Sequence, residues 1–329
     1  MNRILKIGLK VFLSKMLREK MPIFLSWTIT NRCNFKCKYC KIWQEKSEEL
    51  STIQIISLID KFRYCGTEAI SFLGGEPLIR EDIGCIMRHC KKMGIYTKIT
   101  TNGSFVPQRI SDIKDVNLVK ITFNGPKHVH DFQRHTGSYE QVFNAVNLLK
   151  INNVKVGLNC VISKENIDHI DSVLEIAKQL KVYISFQPLE QRGKFSDYVE
   201  CNYPEKVKFK KVILMLIKEK NKKNSFISNS LAGLEFLYHW PSLTKIKCWA
   251  GAYHFRISSE GLLMPCDLIN NTQPIYLNSM TDIKKTINKI PHLLCKEKCR
   301  RNSVMELNFL LSFNPLSLFN LKGILCRQR

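Results

Sequence analysis

Six apolar segments of strand length recur along the first 190 residues of the chain and alternate with segments of helical periodicity. The predicted strands cover residues 23–30, 68–74, 95–101, 117–124, 154–162 and 182–188. The predicted helices cover residues 51–65, 80–93, 138–151 and 166–180, with a shorter one at 107–114. Strands and helices that alternate at this spacing form βαβ units and hence a parallel sheet. The sequence therefore predicts an α/β fold in which six units form most of a barrel, with the chemistry at the carboxyl ends of the strands.

The alternation stops after about residue 190, where the chain changes character. A lysine-rich helix is predicted over residues 204–220, and a polar connector follows it. A chain of 329 residues can hold one large α/β domain and a smaller second one. We divide it into a basic amphipathic N-terminal helix (1–22), a core barrel (23–190), a helical connector (191–245) and a small cysteine-rich α+β extension with the C-terminal tail (246–329).

Three cysteines, Cys33, Cys37 and Cys40, follow the first predicted strand directly, in the first βα loop. The chain has 13 cysteines, an odd number, and shows neither a secretory signal nor the ~18–20 uninterrupted apolar residues of a membrane span. We therefore expect a reducing cytoplasm, in which clustered cysteines bind metal rather than form disulfides. A zinc site lacks an evident fourth ligand here. Three thiolates suit a four-iron cluster that leaves one iron open to another ligand.

A second motif, GGEP, ends the second predicted strand, one βα unit after the cysteine triplet. With this motif and the CxxxCxxC spacing, the chain resembles the radical S-adenosylmethionine (SAM) superfamily. The resemblance implies a partial (β/α)6 TIM-like barrel, a [4Fe-4S] cluster on the three cysteines, and SAM bound at the open iron. It also implies a SAM contact by Gly74, Gly75, Glu76 and Pro77. Paired glycines let backbone approach a ligand closely, and Glu76 offers a carboxylate to the SAM ammonium group.

Weaker similarities to the superfamily follow at the ends of later strands, and each implies one SAM contact. Asn102 lies in the TTNG that ends the third predicted strand, and Thr122 in the ITFNG that ends the fourth. By resemblance, Arg134 pairs with the SAM carboxylate as a fork of donors, with a solvated surface arginine as the alternative. Asn159 on the fifth strand is either a SAM contact or a satisfied core amide. Asn124 stands where relatives often carry an acid, and we do not give it that role.

A second group of cysteines lies in the C-terminal extension. Cys248 and Cys266 flank a predicted hairpin turn at Gly261, and Cys295 and Cys299 could complete four thiolate ligands. This arrangement resembles the SPASM/twitch extensions of radical SAM enzymes and implies a second, auxiliary [4Fe-4S] cluster. A structural zinc site is the alternative.

The two ends of the chain and its net charge bear on partners. The formal net charge is +23, which attracts polyanions. Residues 3–20 mix apolar and basic residues at helical spacing, with Leu5, Leu9, Phe12 and Met16 on one face. This helix could lie on an anionic membrane surface or cover the bottom of the barrel. The apolar tail at 307–325 is either a lid on the core or an interfacial segment.

The resemblance implies a radical SAM enzyme that reductively cleaves SAM to a 5′-deoxyadenosyl radical and abstracts a hydrogen atom from its substrate. The partners it implies are a reductant such as flavodoxin or ferredoxin and a peptide or small metabolite, with a lipid close behind. Peripheral contact with an anionic membrane is a further expectation. Two alternatives from other classes remain, a zinc-binding basic nucleic-acid-binding module and a membrane-associated iron–sulfur scaffold without catalysis. Nothing beyond charge favours nucleic acid.

Overall fold

A computed structural model of the chain describes residues 3–189, 202–240, 246–266, 274–278, 280–290, 302–312 and 314–316. The strands are β1 (Phe24–Thr30), β2 (Ala69–Gly74), β3 (Tyr96–Thr101), β4 (Leu118–Thr122), β5 (Val156–Ile162), β6 (Tyr183–Pro188), β7 (His254–Ile257), β8 (Leu262–Met264) and β9 (Ile275–Tyr276). The helices are α1 (Arg3–Leu17), α2 (Thr52–Tyr64), α3 (Ile83–Lys92), α4 (Val106–Ile113), α5 (Lys127–Gln133), α6 (Ser138–Ile151), α7 (Ile170–Gln179), α8 (Lys206–Lys220), α9 (Leu231–Tyr238), α10 (Ile283–Lys289) and α11 (Asn302–Leu311).

Strands β1 to β6 pair in parallel and in chain order, as the alternation predicts. One face of each strand packs against the surrounding helices, and α2, α3, α6 and α7 bury their apolar stripes in one continuous core. The other face is more polar and turns toward the inside of the barrel, because parallel strands alternate their side chains between two faces. The prediction of an α/β fold with a largely parallel sheet is confirmed.

The C-terminal extension is joined directly to the core sheet. Strand β7 pairs in parallel with β1, with Ser26 opposite Arg256, and thereby becomes a seventh parallel strand. Strands β8 and β9 then continue the sheet in antiparallel fashion. Gly261 has a φ of +85° in the turn between β7 and β8, so the predicted hairpin forms where a glycine permits it.

Helix α1 lies at the amino-terminal ends of the strands, where Lys10 donates to the Gly66 carbonyl before β2 and Arg3 to the Gly94 carbonyl before β3. Lys6 and Lys10 pair with Glu68, which directly precedes β2 and is only 1% exposed. Burial alone would raise the pKa of Glu68, but hydrogen bonds from Lys10, Arg63 and Lys6 outweigh it and lower that pKa to about 2. These buried ion pairs fix α1 against the sheet.

The face that α1 turns inward differs from the apolar face predicted from sequence. Val11 and Ser14 are buried, and Ile7 packs on the same small core as Val11. The larger apolar side chains lie exposed: Leu5, Leu9, Phe12, Leu13, Met16 and Leu17. The inner face also carries the lysines that reach Glu68. It therefore combines basic and apolar side chains, whereas the outer face is apolar. In the described ranges, no helix has the length and apolar character to cross a membrane.

Candidate functional site

A cavity of about 630 Å³ opens at the carboxyl ends of the parallel strands. Side chains from β1, β3, β4, β5, β6 and β7 all line it, which shows that the sheet curves around it as an open barrel. Its volume lies in the range of small-molecule sites. Among the residues predicted to act, Cys33, Cys37, Cys40, Gly74, Gly75, Asn102, Thr122, Arg134 and Asn159 line this cavity.

The three cysteines lie in the loop that leaves β1, and backbone hydrogen bonds hold this loop at both ends. Near its start, the Gly75 amide donates to the Thr30 carbonyl at 2.9 Å, and the Glu76 amide donates to the Arg32 carbonyl at 2.8 Å. Further along, the Lys38 amide donates to the Gln133 carbonyl at 2.9 Å. The triplet loop is therefore clamped between the end of β2 and the end of α5.

Burial favours the protonated form of two thiols of this loop, Cys33 and Cys37. Burial raises the pKa of Cys33 to about 12, and it raises the pKa of Cys37 against the opposing charge of Arg134. Metal binding therefore has to displace these protons, as it does for thiolate ligands generally.

The donor set fits an iron–sulfur cluster of the three-cysteine kind. The three soft thiols line the same cavity, and this cavity has space for a further ligand beside them. As the described side chains stand, no three histidine, cysteine or acidic groups already meet at one point as a metal site. A cluster on these cysteines would therefore need their three thiols to meet at one point.

The two glycines of GGEP are required by contact with the cysteine loop itself. A Cβ at Gly74 would lie 2.3 Å from the Thr30 carbonyl oxygen, and one at Gly75 would lie 2.3 Å from the Arg32 carbonyl oxygen. Real Cβ atoms do not approach backbone so closely. The structure thus supplies a reason for both glycines that sequence reasoning missed, since it considered only close approach to a ligand.

Glu76 and Pro77 lie behind the cavity wall, unlike the two glycines. Glu76 is fully buried, and its carboxylate accepts hydrogen bonds from the Leu78 amide (3.0 Å), the Thr101 hydroxyl (2.8 Å) and the Asn102 amide (2.6 Å). Burial raises the pKa of Glu76 even against these donors. What the structure shows for Glu76 is an anchor between the ends of β2 and β3, and its predicted contact with SAM stays a prediction.

Arg134 is buried at the end of α5, with a side chain only 8% exposed, so the alternative of a solvated surface arginine is wrong. Its guanidinium lies 5.8 Å from the centre of the Phe35 ring and donates to the Tyr39 hydroxyl at 3.4 Å. The buried Nε has no acceptor among the described residues. A buried donor without an acceptor is costly, which fits a site awaiting an anionic ligand.

Asn102 and Asn159 keep polar groups at the cavity wall. The Asn102 side chain donates to Asn34 of the cysteine loop at 2.8 Å, which ties the third strand end to that loop. Asn159 accepts from the Ser185 hydroxyl at 3.0 Å. Asn124, by contrast, is fully buried and donates to both Tyr39 and Gln133. It is a structural amide, consistent with withholding the acid's role from it.

Of the C-terminal cysteines, the structure describes only two. Cys248 is half-buried and Cys266 is buried, and neither lines the cavity. Cys295 and Cys299 lie outside the described residues. The auxiliary cluster therefore stays a prediction.

Sequence reasoning missed three basic residues on the cavity side of the sheet, namely Lys98 on β3, Lys120 on β4 and Arg256 on β7. The alternation of side chains along each strand could have indicated the two lysines. Lys98 precedes Asn102 by four residues and Lys120 precedes Thr122 by two, so the alternation of a strand places each lysine on the same face as a residue expected at the cavity wall.

Comparison with protein families matches residues 27–177 to the radical SAM superfamily. Among curated proteins, the chain is 29% identical to the Fe-coproporphyrin III synthase of Methanosarcina barkeri over 190 residues, which cover 55% of this chain and 47% of that protein. It is 27% identical to the AdoMet-dependent heme synthase of Oleidesulfovibrio alaskensis, covering 47% of this chain and 42% of that protein. The chain thus spans less than half the length of these relatives.

Solved structures share the fold at low sequence identity. Streptococcus suis SuiB bound to the precursor peptide SuiA has a TM-score of 0.67 at 15% identity, covering 84% of this chain and 67% of that one. The structure of anSMEcpe with bound AdoMet and the Kp18Cys peptide has a TM-score of 0.63 at 20% identity, covering 81% of each chain. At such identities the likeness establishes a common fold for these chains.

Proposed function

Since residues 27–177 of this chain belong to the radical SAM superfamily, we propose that the chain is an enzyme that cleaves SAM reductively and abstracts a hydrogen atom from a peptide or small metabolite. The observation that carries the proposal is that Cys33, Cys37, Cys40 and Arg134 all line one cavity at the carboxyl ends of the strands. A [4Fe-4S] cluster on the three thiolates supplies, when bound, the electron that SAM cleavage requires and an open iron for the SAM ligand.

The residues around the thiols support SAM binding by their chemistry. Arg134 offers a buried cationic fork to the SAM carboxylate, and its Nε without an acceptor is the donor that such a carboxylate would satisfy. Thr122 and Asn159 present polar groups beside it, on the neighbouring strands β4 and β5. Asn102 and the two glycines form the opposite part of the wall, which Glu76 holds in place from behind.

The names of relatives and neighbours support two substrate classes. SuiB and anSMEcpe are described with bound peptides, whereas the two curated relatives are named for Fe-coproporphyrin III and heme synthesis. We therefore place a peptide or small metabolite first and a lipid next. An outside reductant such as flavodoxin or ferredoxin would supply the electron. The superfamily match does not favour a zinc-binding nucleic-acid module or a scaffold without catalysis.

We extend the proposal to an auxiliary [4Fe-4S] cluster on Cys248, Cys266, Cys295 and Cys299. The β7–β8 hairpin supports it, because the turn at Gly261 folds back the segment between the first two of these cysteines. Four thiolates would close such a cluster, which then serves electron transfer or substrate binding.

The direct test is SAM cleavage by the full chain after anaerobic reconstitution with iron and sulfide. With dithionite as the reductant, we expect release of 5′-deoxyadenosine and methionine, measured by chromatography. Replacing Arg134 by Leu should weaken SAM affinity by about ten-fold or more, because one charge-assisted fork contributes at least 1.4 kcal/mol. Arg88→Leu, which removes an exposed arginine on α3, is the control. A reconstituted protein that carries iron yet releases no 5′-deoxyadenosine under these conditions would contradict the proposal.

We also propose that α1 places the protein on an anionic membrane surface. Its exposed stripe of Leu5, Leu9, Phe12, Leu13, Met16 and Leu17 has no cover among the described residues. The helix contains no acidic residue, and the chain carries a net charge of +23. Lys6 and Lys10 are paired with Glu68, so the apolar stripe and the net charge of the chain carry this proposal, and both favour the headgroup region of an anionic membrane.

Vesicle sedimentation tests this surface. The wild-type chain should bind vesicles that contain phosphatidylglycerol, and added salt should weaken that binding. Phe12→Glu should lower the affinity by about ten-fold or more, because it removes an apolar contribution of roughly 1.5–3 kcal/mol. Ile53→Glu replaces an apolar side chain on α2 that is more exposed than Phe12 (80% against 57%) and should have no effect. Equal binding by the two variants would reject the role of α1.

A further inference from the structure

Two lysines extend into the barrel below the residues expected to contact SAM. Lys98 on β3 lies opposite Ser71 of β2, and Lys120 on β4 lies opposite Thr100, so Lys120 stands one layer nearer the rim. Both side chains line the cavity and are half-buried by the surrounding strands. Lysines are rarely placed inside a barrel without a partner, so this position requires an explanation.

A third basic side chain completes the floor of the cavity from the other side. Arg256 on β7 lies opposite Ser26 of β1, which in turn lies opposite Ser71 of β2. Arg256 and Lys98 therefore belong to one row of the curved sheet, with two serines between them. Arg256 is 6% exposed and donates to the Thr28 hydroxyl at 3.0 Å.

The acidic groups of this cavity leave the two lysines without an ion pair. No carboxylate among the described residues lies within salt-bridge distance of Lys98 or Lys120, and Lys120 instead donates to the Ser185 hydroxyl at 2.6 Å. Lys98 has no hydrogen-bond acceptor in the described ranges. Glu306 of α11 lines the same cavity and acts on Lys120 by its charge, but it accepts from the Ser230 amide at 3.0 Å and is held at the start of α9.

The pKa values of Lys98 and Lys120 reflect the lack of an ion-pair partner for either lysine in the part of the chain that the structure describes. Burial lowers the pKa of Lys98. Burial together with the nearby charge of Lys98 outweighs the opposing charge of Glu306 and lowers the pKa of Lys120 to about 7. The two ammonium groups repel each other, because both lie in one cavity and are partly removed from water. An anionic group between them would relieve both the repulsion and the cost of burial.

We propose that Lys98 and Lys120, with Arg256 beside them, form a binding subsite for a carboxylate or phosphate group of the substrate at the floor of the barrel. The identification of this group as part of the substrate rests on the proposed function. The anion at the floor would then hold the rest of the substrate toward the rim, where the three thiols and Arg134 lie. These lysines are specificity-determining residues, and the substrate class is an anionic molecule.

The test measures anion binding without SAM or reductant, on the full chain after iron–sulfur reconstitution. The probes are inorganic phosphate and acetate, titrated separately by calorimetry at pH 6.5. Lys98→Met and Lys120→Met should each weaken binding of the preferred probe by about ten-fold or more, which corresponds to about 1.4 kcal/mol. Lys92→Met removes an exposed lysine from α3 and should leave binding unchanged. The probe that binds more tightly distinguishes a phosphate substrate from a carboxylate one.

Thermal unfolding separates this role from a structural one. Because a buried ammonium without a counterion destabilises the fold, Lys98→Met should raise the midpoint of unfolding while it weakens anion binding. A purely structural lysine would instead lower that midpoint on replacement. Unchanged phosphate and acetate binding in both lysine variants, or no binding by the wild type, would overturn the subsite. If SAM cleavage fails while the lysine-dependent anion binding persists, the proposed function fails and the subsite stands.

Discussion

Replacing Cys33, Cys37 and Cys40 together by alanine should remove about four irons per chain and abolish SAM cleavage. These three thiols line the cavity, whereas none of the other described cysteines does. The loop that carries them is held by backbone hydrogen bonds from Gly75, Glu76 and Lys38, which alanine side chains leave in place. The fold should therefore persist, with a circular dichroism spectrum like that of the wild type.

Iron and sulfide counts on anaerobically reconstituted protein give the measurement. The matched control is Cys65→Ala/Cys85→Ala, which removes a half-buried and an exposed thiol away from the cavity. This control should keep the wild-type iron content, so that loss of iron in the triple variant cannot be attributed to the number of thiols. Equal iron loss in the control and the triple variant would contradict the assignment.

The absolute count tests the auxiliary cluster at the same time. About eight irons in the wild type and about four in the triple variant correspond to two four-iron clusters. Cys248→Ala/Cys266→Ala should then remove the other four and leave SAM cleavage to be measured without them. About four irons in the wild type, all lost in the triple variant, would retain the enzyme and exclude the auxiliary cluster. Stoichiometric zinc without iron would reject the radical chemistry altogether.

The barrel was predictable because the local and global patterns of the sequence agree there. The segment 95–101, for example, forms β3 at Tyr96–Thr101, and 154–162 forms β5 at Val156–Ile162. Buried strands and amphipathic helices are encoded by apolar periodicity, which single residues do not disturb. The strand that pairs with β1 on the edge opposite β2 was not predictable. Strand β7 joins the sheet from more than 200 residues away, and no local pattern encodes a contact at that distance.

The motifs of the site were predictable from the sequence, but the tertiary contacts of the residues around them were not. Arg134 was chosen by resemblance, but its burial depends on α5, a short polar helix whose residues carry no clear apolar period. For α1, the outward stripe follows from the ion pairs of Lys6 and Lys10 with Glu68, a tertiary contact that overrides the apolar face. The position of Lys98 and Lys120 at the cavity was not predicted, because a lysine within a strand is ordinarily exposed to solvent.

Replacing Glu76 by alanine should lower the free energy of unfolding by about 3 kcal/mol or more. The change leaves three donors without an acceptor in a fully buried place, and each such donor costs about 1–3 kcal/mol. Denaturant unfolding of the chain measures the loss. Thr101→Val keeps the carboxylate but removes one of its three hydrogen bonds and the acceptor of the Gly103 amide (3.0 Å), so it should cost about 2 kcal/mol. An alanine variant as stable as the wild type would reject the anchoring role.

Glu76→Gln separates the anchor from the predicted contact with SAM. The amide keeps the shape and one acceptor oxygen, so the Gln variant should lose only about 1–3 kcal/mol, from the hydrogen bond that its NH2 group cannot accept. If the Glu76 carboxylate also pairs with the SAM ammonium, the folded Gln variant should bind SAM about ten-fold or more weakly, while Thr101→Val binds it as the wild type does. Wild-type SAM affinity in the Gln variant would make Glu76 a positioning residue alone. The GGEP motif would then serve, through Gly74, Gly75 and Glu76 alike, to hold the cysteine loop and the ends of β2 and β3 together.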